Sequence, residues 1–148
     1  MTRHPSPPLV FAVAVLAATA LAMLVPEPTI VRGGGQLLGL VPVVLGSGLH
    51  WTAWRMFRVR TTTVRSDRRP RRLVTDGPYA RTRNPMYLAG IVILLGLAVL
   101  LGSLASVLAP LGYGAVAHRL FLPAEERVME ERFGDEYAEY RDSVPTWI

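Results

Sequence analysis

A chain of 148 residues suffices for one domain, and its apolar residues, 51% of the total, lie in blocks instead of at the spacing of a surface helix; that is the pattern of a polytopic membrane protein. There is no cysteine and only three histidines, His4, His50 and His118, so disulfides, thiolate metal sites and cysteine nucleophiles are excluded and no metal site is expected. All 16 basic residues are arginine, and the net charge of +5 conceals a segregation, with ten arginines between Arg55 and Arg83 and eight of eleven acids after Pro123. A basic block suggests nucleic acid. Beside membrane spans, however, the positive-inside rule and anionic lipid account for it, so membrane lipids and no nucleic acid are the expected partners. Arginine-only usage also fits a GC-rich bacterial genome.

In chain order, the first apolar run covers 9–25 and is closed by Pro26-Glu27-Pro28. Arg3 and the Ala18-Thr19-Ala20 triplet resemble a signal peptide with its cleavage site. The triplet lies inside the apolar run and further runs follow, so an uncleaved first helix is the reading taken. Gly33-Gly34-Gly35 marks a loop. A second span is expected over about 36–57, with Pro42, Gly46 and Gly48 as possible kinks and Trp51 and Trp54 at the interfacial belt. The arginine-rich loop 58–85 then marks the cytoplasmic side.

From 86 to 122 the chain is nearly uncharged, too long for one helix and suited to two short ones turning at Gly102-Ser103, over about 86–101 and 104–122. Glycines at 90, 96, 112 and 114 permit close helix approach. The tail, 123–148, carries strong helix formers over 124–142 with Met129, Phe133, Tyr137, Tyr140 and Val144 along one stripe. It reads as one cytoplasmic amphipathic helix against the membrane domain, weakest at Gly134. The fold expected is therefore an all-α integral membrane protein of about four spans, a single domain, with a C-terminal helical hairpin. Both termini are then cytoplasmic, in a bacterial inner membrane.

The densest local signal is the run from Gly77 through Tyr79, Arg81, Arg83, Asn84-Pro85 and Tyr87 to Gly90. Irregular charged backbone at the mouth of a membrane helix is costly unless it lines a site or a wet cavity. Taken singly, each residue has an ordinary reading. Arg81 and Arg83 serve as topology determinants, Tyr79 and Tyr87 as interfacial anchors, and Asn84-Pro85 as helix cap and first turn. Glu125-Glu126 complement a helix dipole. His118 and Arg119 are the least ordinary polar residues of the last span.

Together they resemble a family. Leu73-Val74-Thr75-Asp76-Gly77-Pro78-Tyr79, a four-residue spacer and Asn84-Pro85-Met86-Tyr87-Leu88-Ala89-Gly90 are similar to the signature of the isoprenylcysteine carboxyl methyltransferase and phospholipid methyltransferase superfamily. The likeness continues through the hairpin to Glu125-Glu126, Phe133-Gly134-Asp135-Glu136-Tyr137, Tyr140 and Val144-Pro145, covering roughly the last half of the chain. The resemblance implies S-adenosyl-L-methionine held on the cytoplasmic side by Arg71, Arg72, Leu73, Val74, Tyr79, Asn84, Pro85, Met86, Tyr87 and Glu125. Two positions depart from the pattern: Asn84 stands where the family has histidine, and Phe121 where it has a substrate-contacting arginine, with Arg119 nearby.

The reaction so implied is methyl transfer to a lipophilic, membrane-partitioned acceptor. A carboxylate acceptor needs no general base, and Arg83 or Arg119 would orient it. An amine or thiol acceptor must lose a proton, for which Glu126 is the candidate. Two other classes compete. A non-catalytic lipid-binding anchor predicts no cofactor binding, and a membrane reductase predicts a nicotinamide cofactor, for which there is no dinucleotide glycine fingerprint. The acceptor's identity and the oligomeric state stay open at this level.

Overall fold

The computed structural model describes residues 5–26, 33–61 and 72–148. Residues 62–71 of the arginine-rich loop, Arg71 among them, therefore lie outside the described residues. Among those described the chain is all-helical, with no strand. Helix α1 (Pro7–Leu24) starts with prolines in its first turn, where their missing N–H groups break no bond. A 3-10 stretch (Gly33–Gly39) leads into α2 (Leu40–Thr61). Pro42 falls in the first turn of α2, and Gly46 and Gly48 lie within it. Helix α3 is Pro85–Leu101.

Two helices are long and apolar enough to cross a membrane, Pro7–Leu24 and the stretch Gly34–Val59, while Pro85–Leu101 is a shorter apolar helix. Their outward faces expose Leu9, Val13 and Leu16 on α1 and Val41, Val44 and Leu45 on α2. Contiguous apolar surface of this kind needs an apolar solvent.

The main helical seam is α2 against α3. A Cβ on Gly39 would lie 2.5 Å from the Gly96 carbonyl oxygen, and one on Gly96 would lie 2.7 Å from that of Gly39. Backbones this close exclude any side chain, which is how small residues let apolar helices associate without a polar contact. Helix α1 crosses α3 and α4 (Leu108–Val116). There Ser106, fully buried, donates a 2.7 Å hydrogen bond to the Ala18 carbonyl.

The hairpin turn falls at Gly102-Ser103, as expected, with the Gly102 and Ser103 N–H groups bonding the Val99 and Ala98 carbonyls. Its second arm differs from expectation. Helix continues from α4 through a π turn (Ala117–Phe121) into α5 (Leu122–Phe133), with no break at the span's end. Pro123 supplies the physical reason for the irregularity: it has no N–H to give, and its ring would strike the carbonyl four residues earlier. The tail also differs, being two helices, α5 and α6 (Asp135–Ser143). Gly134 separates them with φ of +50°, a backbone conformation that other residues adopt at a cost.

Candidate functional site

The loop before α3 is held from several directions. A 3-10 turn (Gly77–Ala80) buries Tyr79 against Ala53 and Val74. The hydroxyl of Tyr140 on α6 donates a 2.7 Å bond to the Tyr79 carbonyl. Asn84 makes no side-chain cap on α3. Its amide instead donates to the Thr146 carbonyl at 3.2 Å, and the Asn84 carbonyl accepts the Leu88 N–H at 3.1 Å to close the first turn. The helix start is where the sequence places it, but the asparagine reaches the chain's last residues and not its own helix.

Two linked hollows adjoin this loop; apolar surface makes up most of their walls, and the Arg83, Asn84 and Glu125 side chains that both contain mark them as the polar hollows. The narrower, about 70 Å³, is lined by Arg72, Leu73, Val74 and Glu126, together with Tyr137 and Tyr140 of α6. The wider, about 490 Å³, is lined by Pro85, Met86, Tyr87, Ala124 and Val128. Phe57, Tyr79, Arg83, Asn84, Glu125 and Met129 line both. The wider volume is within the roughly 300–1,000 Å³ typical of small-molecule sites.

A third cavity, of about 480 Å³, opens between the helices and is mainly apolar, with Phe11, Trp54, Gly90, Ile93 and Tyr113 in its walls and His50 among them. It shares Met86, Tyr87 and Glu125 with the wider polar hollow. All three hollows border Glu125, whose carboxyl is part-buried at its bond with Tyr87.

At that shared wall the Tyr87 hydroxyl donates a 2.6 Å bond to Glu125 Oε1. A tyrosine of α3 and a carboxylate in the first turn of α5 thus meet across 38 positions of sequence. The π turn brings Phe121 beneath them, with its ring 6.0 Å from that of Tyr87 and nearly parallel at 14°. Burial of the carboxyl raises the Glu125 pKa from its ordinary value, and the Tyr87 hydrogen bond pulls the other way. The Tyr79 hydroxyl is pushed up by burial first and then by Tyr140 and Glu125. The Glu125 carboxyl is therefore partly desolvated, and a cation placed beside it would favour its ionised form.

Arg83 and Glu126 are partners of one another. Arg83 Nη1 lies 2.9 Å from Glu126 Oε1, with the arginine side chain 10% exposed and the glutamate 30%. The guanidinium also donates to the Tyr137 hydroxyl at 3.4 Å and, through Nη2, to Thr146 Oγ1 at 2.6 Å. Arg119 is exposed and lines none of the three hollows.

Of the residues singled out from sequence, Arg72, Leu73, Val74, Tyr79, Arg83, Asn84, Pro85, Met86, Tyr87, Glu125 and Glu126 are brought to the polar hollows. Sequence reading missed Phe57, which no motif marks, and Thr146. Tyr137 and Tyr140, seen in sequence as part of a packing stripe and of the family likeness but given no site role, both contribute hydroxyls to the site.

The sequence profile of the phospholipid methyltransferase family matches residues 35–136. The Protein-S-isoprenylcysteine O-methyltransferase of Schizosaccharomyces pombe is 38% identical over 79 residues, covering 51% of this chain and 32% of that protein. The Protein-S-isoprenylcysteine O-methyltransferase B of Arabidopsis thaliana is 31% identical over 115 residues, covering 74% of this chain and 57% of that protein. The match thus spans less than two thirds of either relative's length. The whole lining of the wider polar hollow, from Phe57 to Met129, falls inside the family match. With more than half of its length matched, this chain belongs to the phospholipid methyltransferase family.

Proposed function

We propose that this protein transfers a methyl group from S-adenosyl-L-methionine to a lipophilic acceptor in the membrane. One observation carries the reading: the Tyr87–Glu125 hydrogen bond stands where the polar hollows and the apolar cavity share a wall. A compartment for the donor, walled by Arg83 and Asn84 of the loop, and an interhelical one for a lipid meet at one carboxylate. The polar lining fits such a donor. Phe57, Tyr79 and Met129 offer flat apolar contact, while Glu125 offers negative charge to a cation.

S-adenosyl-L-methionine, when bound, supplies a positively charged sulfonium methyl for in-line displacement. Glu125, held by Tyr87, fixes that charge in place, and Arg83 and Asn84 form the loop side of the compartment. The cavity walls at Phe11, Ile93 and Tyr113 keep water from the nucleophile and align it, the two needs of such a displacement. The leading acceptor is a lipid-linked carboxylate, as the names of both relatives suggest. Arg83 is the group proposed to orient it, already balanced by Glu126. A second reading, an amine acceptor, is favoured by the cavity's own lining, which among the described residues holds Glu125 and His50 but no arginine.

In membrane terms the proposal has four spans, α1, α2, α3 and the stretch 104–122, with both termini and the polar hollows on the cytoplasmic side. The test is thermal stabilisation of the purified protein by S-adenosylhomocysteine against NADPH. Stabilisation by the former alone is expected, and Glu125→Ala and Tyr87→Ala should each abolish it while membrane insertion is unchanged. Variants that bind as well as wild type would remove the site assignment. Labelled methyl transfer to a prenylated cysteine carboxylate, compared with an amino phospholipid, separates the two acceptor readings.

A further inference from the structure

Thr146 touches the loop before α3 at three successive residues through its two oxygens and its neighbour. Its carbonyl accepts the Thr82 hydroxyl at 3.0 Å and the Asn84 amide at 3.2 Å. Its own hydroxyl oxygen accepts Arg83 Nη2 at 2.6 Å, and the adjoining Pro145 carbonyl accepts the Arg83 backbone N–H at 3.0 Å. On the far side Trp147 packs against the cluster of Tyr87, Tyr113 and Phe121, and its ring lies 6.3 Å from that of His118 in the π turn. Val144 anchors the near end in a separate cluster with Leu73 and Tyr140.

From this geometry we propose that the segment 144–147 is a clasp that sets the donor-binding loop, with Thr146 as a positioning residue acting through Arg83. The inference rests on the polar hollows being the donor site. Arg83 lines both of them, and its direction is fixed by Glu126 on α5 and Tyr137 on α6 as well as by Thr146. Glu126 and Tyr137 lie on helices that begin beyond the π turn. Among the described residues, it is Thr146 that joins the guanidinium to the same segment that holds Thr82 and Asn84. The three loop residues are therefore aligned as a unit, and the rotamer of a long side chain is set before any ligand arrives. That is the supporting shell on which a precise site depends.

The experiment uses the full chain in lipid nanodiscs. Thr146→Val keeps the shape and removes the hydroxyl that receives the guanidinium; Thr146→Ser keeps the hydroxyl. Binding of S-adenosylhomocysteine should weaken about tenfold in Thr146→Val, the order expected for one charge-assisted hydrogen bond, and stay near wild type in Thr146→Ser. In an Arg83→Gln background Thr146→Val should add nothing, because its effect passes through that guanidinium.

A Thr146→Val protein that binds like wild type, or that weakens binding by an equal further factor without Arg83, overturns the clasp. Hydrogen exchange on the wild-type chain gives a second readout that no misfolded variant can spoil. S-adenosylhomocysteine should slow exchange at the Arg83 amide and across 144–147 together, and protection of the loop alone overturns the proposal. If wild type shows no binding of S-adenosylhomocysteine at all, the donor reading itself fails and takes the clasp with it.

Discussion

The α2–α3 seam and the loop before α3 are both close contacts, built from opposite materials. At the seam, Gly39 and Gly96 bring two backbones together with each carbonyl where the other residue's side chain would be. At the loop, contact is made by side-chain tips: Tyr140 on the Tyr79 carbonyl, Tyr87 on Glu125, Arg83 on Glu126 and Thr146. The seam is steric and directionless, and only added volume disturbs it. The loop is directional, and only lost polar atoms disturb it. A membrane helix has few polar atoms to spend, so this chain concentrates them where a ligand has to be oriented.

Substitutions can test that contrast. Gly96→Ala adds one carbon where Gly39 backbone and Val43 already lie within 3 Å of its position. Overpacking should cost about 1–3 kcal/mol, read as a lower unfolding midpoint in detergent, with donor affinity per folded molecule little changed. A wild-type midpoint would mean the helices are further apart than described.

The next effect is a pH dependence confined to the loop side. Burial raises the folded-state pKa of Glu125, so its proton is held more tightly in the folded protein. Its contribution to stability is then fully present below the unfolded pKa and is lost as pH rises through the folded one. A cationic donor prefers the ionised carboxylate. Donor affinity should therefore rise with pH through the Glu125 titration, by up to about tenfold per unit, about 1.4 kcal/mol, with a proton released on binding. Calorimetry in two buffers of different ionisation enthalpy measures that proton. Glu125→Gln should release none, and release by that variant would point to another group.

Tyr140→Phe removes a 2.7 Å bond and leaves the Tyr79 carbonyl short of a donor. About 1 kcal/mol of stability should go, with faster hydrogen exchange across 79–84. Leu16→Ala, on the outward face of α1 and 69% exposed, should change stability by less than about 0.5 kcal/mol. A larger loss there would mean that another surface covers α1.

Much of the seam was legible in the sequence. Apolar runs of span length place the first three helices, and Gly102-Ser103 places the hairpin turn, because the length and breaker signals are local. Pro123 looked like a boundary but is carried within a helix, since a π turn absorbs it. Gly134 was seen as a weak point, yet the periodic stripe on either side of it still suggested one helix where two form. The site was legible only through resemblance. Tyr87 and Glu125 lie 38 positions apart, and no periodicity pairs them. Thr146 was missed because a lone threonine in a short segment beyond the last helix has no pattern to stand out from.

The carboxylate bordering all three hollows has an evolutionary corollary under the proposed function. Glu125 and Tyr87 serve both compartments, so neither can be exchanged to suit a new acceptor without disturbing the donor. Phe11, Trp54 and Ile93 face the apolar cavity alone among the hollows. Changes in lipid preference should accumulate at those three positions, on three different helices, so that diverged copies of this scaffold keep one methylating centre while exploring different greasy substrates.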